Sequence, residues 1–196
     1  MALAMTSDFV ALDWDAPLDV DSFLRAMPPN ARIKGMYATA VVDGARARGL
    51  SLASARERYL AFQDVPMREY STLLVDAARA FFPGLTLRTG LRKLGRSSHD
   101  IFARSVVGRV VLSTASDLPG ALAACAKAYA ISLPPARAEV RDLDKHRAVF
   151  ALANVYNFLD SHHVGVLEGV AHACGVHVEA RVKLASPFDG EIELTW

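Results

Sequence analysis

The spacing of apolar residues changes character once along this chain, at Pro134-Pro135. Upstream it is helical. Ile33, Met36, Tyr37, Ala40, Val41 and Ala45 fall on one face of a helix that Gly49 closes. Residues 51–62 read as a further helix. A turn at Asp64-Val65-Pro66 opens a stronger one, with Tyr70, Leu73, Leu74, Ala77, Ala78 and Phe81 on its buried face and Pro83-Gly84 at its end. Residues 86–116 read as two or three short helices, broken at Gly95 and bent at Gly108. Asp117 and Pro119 start the next. Downstream of Pro134-Pro135 the spacing is two. A-R-A-E-V-R-D-L (136–143) and H-R-A-V-F-A-L-A (146–153) alternate as half-buried strands do. V-H-V-E-A-R-V-K-L (176–184) sets Val176, Val178, Ala180, Val182 and Leu184 against His177, Glu179, Arg181 and Lys183. E-I-E-L-T-W follows after a turn at 187–190. Between the two strand pairs, residues 154–175 read as one helix.

The pattern predicts an α+β fold. A helical N-terminal two-thirds packs on a C-terminal antiparallel sheet of about four strands, in the order strand-strand-helix-strand-strand. Residues 1–30 form an N-terminal extension, with a short strand at 9–14 and a brief helix capped by Asp19 or Asp21. Residues 31–196 form a single α+β domain. Apolar residues make up 52% of the 196-residue chain, enough for a sizeable core. The net charge of +1 gives no global attraction to nucleic acid. Charge is uneven, however. Five aspartates in residues 1–30 precede a basic run from Arg32 to Arg58, so an acidic arm lying on a basic helix is expected. Cys125 and Cys174 form neither a C-x-x-C pair nor a disulfide framework. With no secretory leader and no apolar run long enough to span a bilayer, the expectation is a cytoplasmic protein with no membrane span.

Candidate chemistry concentrates in residues 154–175. Glu168 and His172, four apart on a helical face, have the spacing of a shared metal, which His177 or His146 would complete. The same spacing is ordinary helix-surface electrostatics, and no metal is assigned. His162 and His163 point about 100° apart on a helix, so one is expected half buried and the other solvated. Gly165, Gly169 and Ala173 recur every four residues, which marks a face for close packing or an interface. Ser98-His99-Asp100 holds the residue types of a hydrolase triad, but three consecutive residues cannot make the bridging arrangement a triad requires. Arg88, Arg92 and Arg96 share a stripe if their helix continues past Gly95, facing an anionic ligand, an acidic partner, the N-terminal arm or solvent. No phosphate-binding glycine loop occurs.

Several stretches together resemble a paralogous family of unknown function from myxobacteria: L-R-K-L-G-R at 91–96, S-V-V-G-R-V at 105–110, F-L-D-S-H-H-V-G-V-L-E-G-V at 158–170, A-C-G at 173–175 and the closing E-L-T-W. The resemblance covers residues 32–196. The order of elements is similar, more distantly, to vinyl-reductase-like sensor domains, small TRAPP vesicle-tethering subunits and haem-based nitric-oxide-binding domains. Those relatives imply an apolar ligand pocket between helices and sheet, and dimers. The Y-x-S-x-R signature of the haem domains is not reproduced, since Tyr129 is followed by A-I-S. His99 is the residue that would serve as an axial ligand. The expectation is a non-catalytic regulatory or sensory domain without a resident cofactor. It would bind a small apolar ligand, or a protein partner such as a small GTPase, or a second copy of itself. Alternatives are a pure interaction subunit of TRAPP-like type and a metal- or haem-dependent sensor. His163, Glu168 and His172 are its polar site candidates.

Overall fold

The computed structural model describes residues 8–104 and 117–196, without the side chains of residues 99–102 and 104. Gly108 and the 105–110 stretch therefore lie outside the described residues. The helices are α1 (Val20–Ala26), α2 (Gly35–Arg46), α3 (Met67–Phe81), α4 (Leu87–Arg104), α5 (Leu118–Ser132) and α6 (Val164–Ala173). A π-helical turn, Leu159–His163, runs directly into α6. The strands are β1 (Val10–Ala11), β2 (Arg32–Lys34), β3 (Asp64–Pro66), β4 (Arg137–Arg141), β5 (Arg147–Ala153), β6 (Glu179–Leu184) and β7 (Gly190–Thr195).

The expected α+β architecture is present. The sheet order is β1-β6-β7-β5-β4, antiparallel throughout, with α6 in the crossover between β5 and β6. The four strands read from alternation are joined by β1, which pairs Val10 with Val182. Register explains the two faces. Phe150, Ile192 and Val182 align in one row and are buried; in the next row Ala148 and Leu194 are buried and Ala180 is half-buried. The opposite face carries ionic ladders: Glu193 meets Arg147 at 2.7 Å and Arg181 at 3.8 Å, and Glu191 meets Lys183 at 3.8 Å and Arg141 at 3.6 Å. One core runs from this sheet through α5 and α6 to α3 and reaches back to Phe23 and Met27 near the N-terminus. No helix among the described residues is long and apolar enough to cross a membrane.

Three local expectations are corrected. Residues 51–62 are not helical, because their carbonyls are used elsewhere: Ala61 and Gln63 accept from the N–H groups of Met36 and Gly35, which open α2. Residues 154–158 are not helical either. Asn154 and Phe158 have positive φ, and the segment is tied to the β6–β7 turn through Asn154 N–H to Asp189 Oδ1 and Val155 N–H to the Phe188 carbonyl. Finally, Gly95 does not break a helix, since α4 runs through it.

Gly95 and Gly165 instead mark where α4 crosses α6. A Cβ at Gly95 would lie 1.9 Å from the His162 carbonyl oxygen, and one at Gly165 2.0 Å from that of Arg92. The two backbones touch, so the glycines' missing side chains are the requirement here. Gly165→Ala is expected to destabilise by about 2 kcal/mol, the overpacking penalty outweighing alanine's better helix propensity. Urea unfolding checks this; a stabilised variant would refute the crossing.

Candidate functional site

The π-helical turn places the site. Its defining bond runs from His163 N–H to the Phe158 carbonyl, five residues back. The turn is held between α4 and α5, so two successive side chains both point inward, and His162 and His163 are both buried. This corrects the expectation that one of them is solvated. His162 meets α4, with Nε2 3.4 Å from Ser98 Oγ. His163 meets α5, with Nδ1 2.7 Å from the Tyr129 hydroxyl, while its Nε2 lies 2.6 Å from Asn157 Oδ1. An amide oxygen only accepts, so Nε2 carries the His163 proton and the Tyr129 hydroxyl donates to Nδ1. Burial pushes His162 down to about 3 and His163 well below the usual histidine range, the latter also by the neighbouring ring. Burial raises Tyr37 and Cys125 to about 12, and Tyr129 well above its ordinary value.

These groups surround a cavity of about 50 Å³ whose polar lining includes Tyr37, Ser98, Cys125, Ser132, His162 and His163. It lies among the helices, not against the sheet; Tyr129 separates it from Phe150 of β5, with ring centroids 5.6 Å apart. This small cavity is therefore not itself the apolar pocket between helices and sheet that the resemblance implies. The side chains of His99 and Asp100 lie outside the described residues, so the Ser98-His99-Asp100 stretch offers no described triad geometry. Its serine–histidine contact is with His162 and lacks a carboxylate on Nδ1. The Ser98 hydroxyl also has the Leu94 carbonyl at 3.2 Å to donate to, so it is not poised as a nucleophile.

The basic stripe is largely consumed internally. Arg88 forms a buried ion pair with Asp160 of the π-helical turn. Arg92 grips Glu168 with Nε 2.8 Å from Oε2 and 3.0 Å from Oε1. Glu168 is buried and committed, which removes it from the metal pair with His172. The exposed His172 and His177 rim the same 270 Å³ depression as Arg96 and Glu168. Among the described residues, no group of three or more metal-ligating side chains is placed to hold an ion. Gly169 is buried in α6, and Ala173 is exposed at its end. The N-terminal arm does reach a basic helix, but that helix is α4, and Arg88 and Arg92 meet a backbone carbonyl and an aromatic ring of the arm. Arg88 Nε donates to the Ala16 carbonyl at 3.0 Å, and the Arg92 guanidinium lies 4.2 Å from the Trp14 ring centroid. Asp160, Asn157 and Ser161 are not among the residues singled out from the sequence, although several polar residues inside an otherwise apolar segment are the available signal, and Tyr129 is considered there only against the haem signature.

Solved structures share this fold. An Fe(II) H-NOX protein from S. oneidensis, a triple mutant, is 12% identical with a TM-score of 0.67, covering 83% of this chain and 95% of that one. The Fe(II) unliganded H-NOX protein from K. algicida is 13% identical with a TM-score of 0.63, covering 83% and 96%. An H-NOX mutant from T. tengcongensis is 11% identical with a TM-score of 0.65, covering 83% and 97%. At these identities the likeness concerns the fold.

The H-NOX family is described with heme, and the described residues form no site that fits that group. The cavity beside His162 is about 50 Å³, against roughly 300–1,000 Å³ for pockets that hold drug-sized ligands. Both ring nitrogens of His163 are engaged. A broad groove of about 1070 Å³ beside α5 and β4 has the volume, yet among the described residues no histidine, cysteine, methionine or tyrosine lines it. His99 lies in α4, with its side chain outside the described residues. No curated protein sequence matches the chain. The profile of one family, described as protein of unknown function (DUF2378), matches residues 27–196, and the chain belongs to that family.

Proposed function

We propose that this protein is a non-catalytic sensory or regulatory domain of the cytoplasm that binds a small ligand in the cavity between the π-helical turn and α5. One observation carries the reading: the buried His162 lines the cavity and its Nδ1 has no hydrogen-bond partner among the described residues. Ser54 Oγ, Glu69 Oε1 and Ser161 Oγ are also buried without a partner among the described residues, but they do not line the cavity. The fold shared with H-NOX proteins supports a ligand-responsive module, with the ligand space reduced below that of a macrocycle. The expected apolar ligand gives way here to one that meets polar groups. The turn that carries the histidines also carries Asp160 and leads into α6, so occupancy of the cavity bears on both contacts with α4. In a thermal-shift screen of compounds of a few heavy atoms, hits are expected to raise the Tm of the wild type but not of an Ala128→Leu variant, in which the cavity is filled. Hits acting equally on both would overturn the reading.

Action as a homodimer, or on a protein partner such as a small GTPase, is a second reading. It is favoured by Leu60 and Phe62, two positions apart in the 47–63 loop and 53% and 76% exposed. Light scattering of the wild type and Phe62→Ser checks the dimer: equal monomeric masses at high concentration would exclude it.

A further inference from the structure

The hydrogen-bond polarity around His162 identifies the class of ligand; the argument rests on the cavity being the ligand site. Ser98 has one hydroxyl hydrogen, and the Leu94 carbonyl, one turn back on the same helix, is 3.2 Å from its oxygen. That carbonyl only accepts, and it also receives the Ser97 hydroxyl at 2.8 Å; the arrangement that keeps both Ser98 contacts gives the Ser98 hydrogen to it. Ser98 Oγ then presents a lone pair to His162 Nε2 at 3.4 Å, and Nε2 carries the ring's proton. Nδ1 is left with a lone pair, buried, and without a partner among the described residues. The opening that the protein leaves in this network is therefore an acceptor.

The rest of the lining narrows the choice. Tyr37, Ser132 and Cys125 can turn a hydrogen or a lone pair toward a guest. Among the described residues no lysine, arginine, aspartate or glutamate lines the cavity, so a charged guest would lose its hydration with no counter-charge from them to replace it. The volume of about 50 Å³ admits only a few heavy atoms, since one water takes roughly 10–15 Å³ on the same measure.

We propose that the cavity takes a small uncharged hydrogen-bond donor, of alcohol or primary-amide type, whose O–H or N–H is received by His162 Nδ1. Anions, cations and purely accepting or apolar molecules of the same size are excluded.

The test uses the full chain labelled with 15N-histidine and two matched pairs of probes. Ethanol and dimethyl ether have the same atoms but only the first donates. Acetamide and acetate share a shape but differ in charge. Long-range proton–nitrogen spectra separate Nδ1 from Nε2 of each histidine, and His162→Gln identifies the resonance. Ethanol and acetamide are expected to shift His162 Nδ1 saturably and leave both His163 nitrogens in place, with binding about tenfold tighter than that of the non-donating or charged counterpart. Val166→Phe, which fills the cavity from α6, is expected to abolish the shift while the rest of the spectrum stays folded. Dimethyl ether binding as tightly as ethanol, or acetate as tightly as acetamide, would overturn the donor class yet keep the cavity as a ligand site. No saturable shift with any probe, leaving water as the sole occupant, would sink both this proposal and the sensory reading.

Discussion

Acidification from pH 7 to pH 5 is expected to remove about 4 kcal/mol of folding stability through His162 and His163 alone. The unfolded chain protonates both rings near the ordinary histidine value of about 6.5. The folded chain does not, because burial holds His162 down to about 3 and His163 well below its usual range. Above pH 6.5 neither state binds the protons, and the stability is whole. Below it the unfolded state takes up two protons that the fold refuses, so stability falls as pH falls, by about 1.4 kcal/mol per unit for each ring. The loss is comparable to the lower end of typical domain stability, about 5–15 kcal/mol. Urea unfolding at half-unit steps measures the slope, and His162→Gln is expected to halve it. A curve flat from pH 7 to 5 would mean that the rings titrate freely in the fold.

Asp160→Asn is expected to lower stability by about 3–5 kcal/mol, because it leaves the Arg88 guanidinium buried without its counter-charge. The side chains of both partners are under 10% exposed, so water replaces little of the loss. Replacing both at once, with Arg88→Met and Asp160→Leu, removes the desolvated charge with its partner and is expected to recover most of the stability. The recovery falls short only by the bond Arg88 Nε makes to the Ala16 carbonyl. Denaturant midpoints for the two singles and the double give the coupling. A loss under about 1 kcal/mol for Asp160→Asn would place the pair among exposed, screened ones.

Much of the architecture was legible in the chain, for a definite reason. Alternation over β4 to β7 survives because one sheet face is core and the other is charged, so each strand writes its orientation locally. The face of α3 was legible for the same reason, with Tyr70, Leu73, Leu74, Ala77 and Ala78 buried and Phe81 half-buried. Residues 51–62 were not, because what disposes of their backbone groups lies elsewhere: the N-terminus of α2, and Asp76, which accepts from Ser54 N–H. Gly95 misled because a glycine in a helical pattern reads as a breaker when its use is to admit another backbone.

The site was half legible. His163, Glu168 and His172 drew notice for their chemistry, but where each points depended on the π-helical turn, which periodicity at 3.6 does not report. Glu168 reads as a surface charge until Arg92, 76 positions away, is seen to hold it. The pairing of Ser98 with His162 is likewise a tertiary fact, written in two segments 64 positions apart.

The π-helical turn also sets a phase. It contains one residue more than an α-helical turn would need between Phe158 and α6. Deleting one residue there would turn everything that follows by about 100°. Gly165 would leave the α4 backbone, and Glu168 would leave Arg92. The histidine pair and the helix crossing are thus cut from a single piece of backbone, like two teeth on one gear. A lineage could retune the cavity by side-chain exchange, but not by shortening or lengthening this segment. Within it, length variation is expected to be far rarer than substitution.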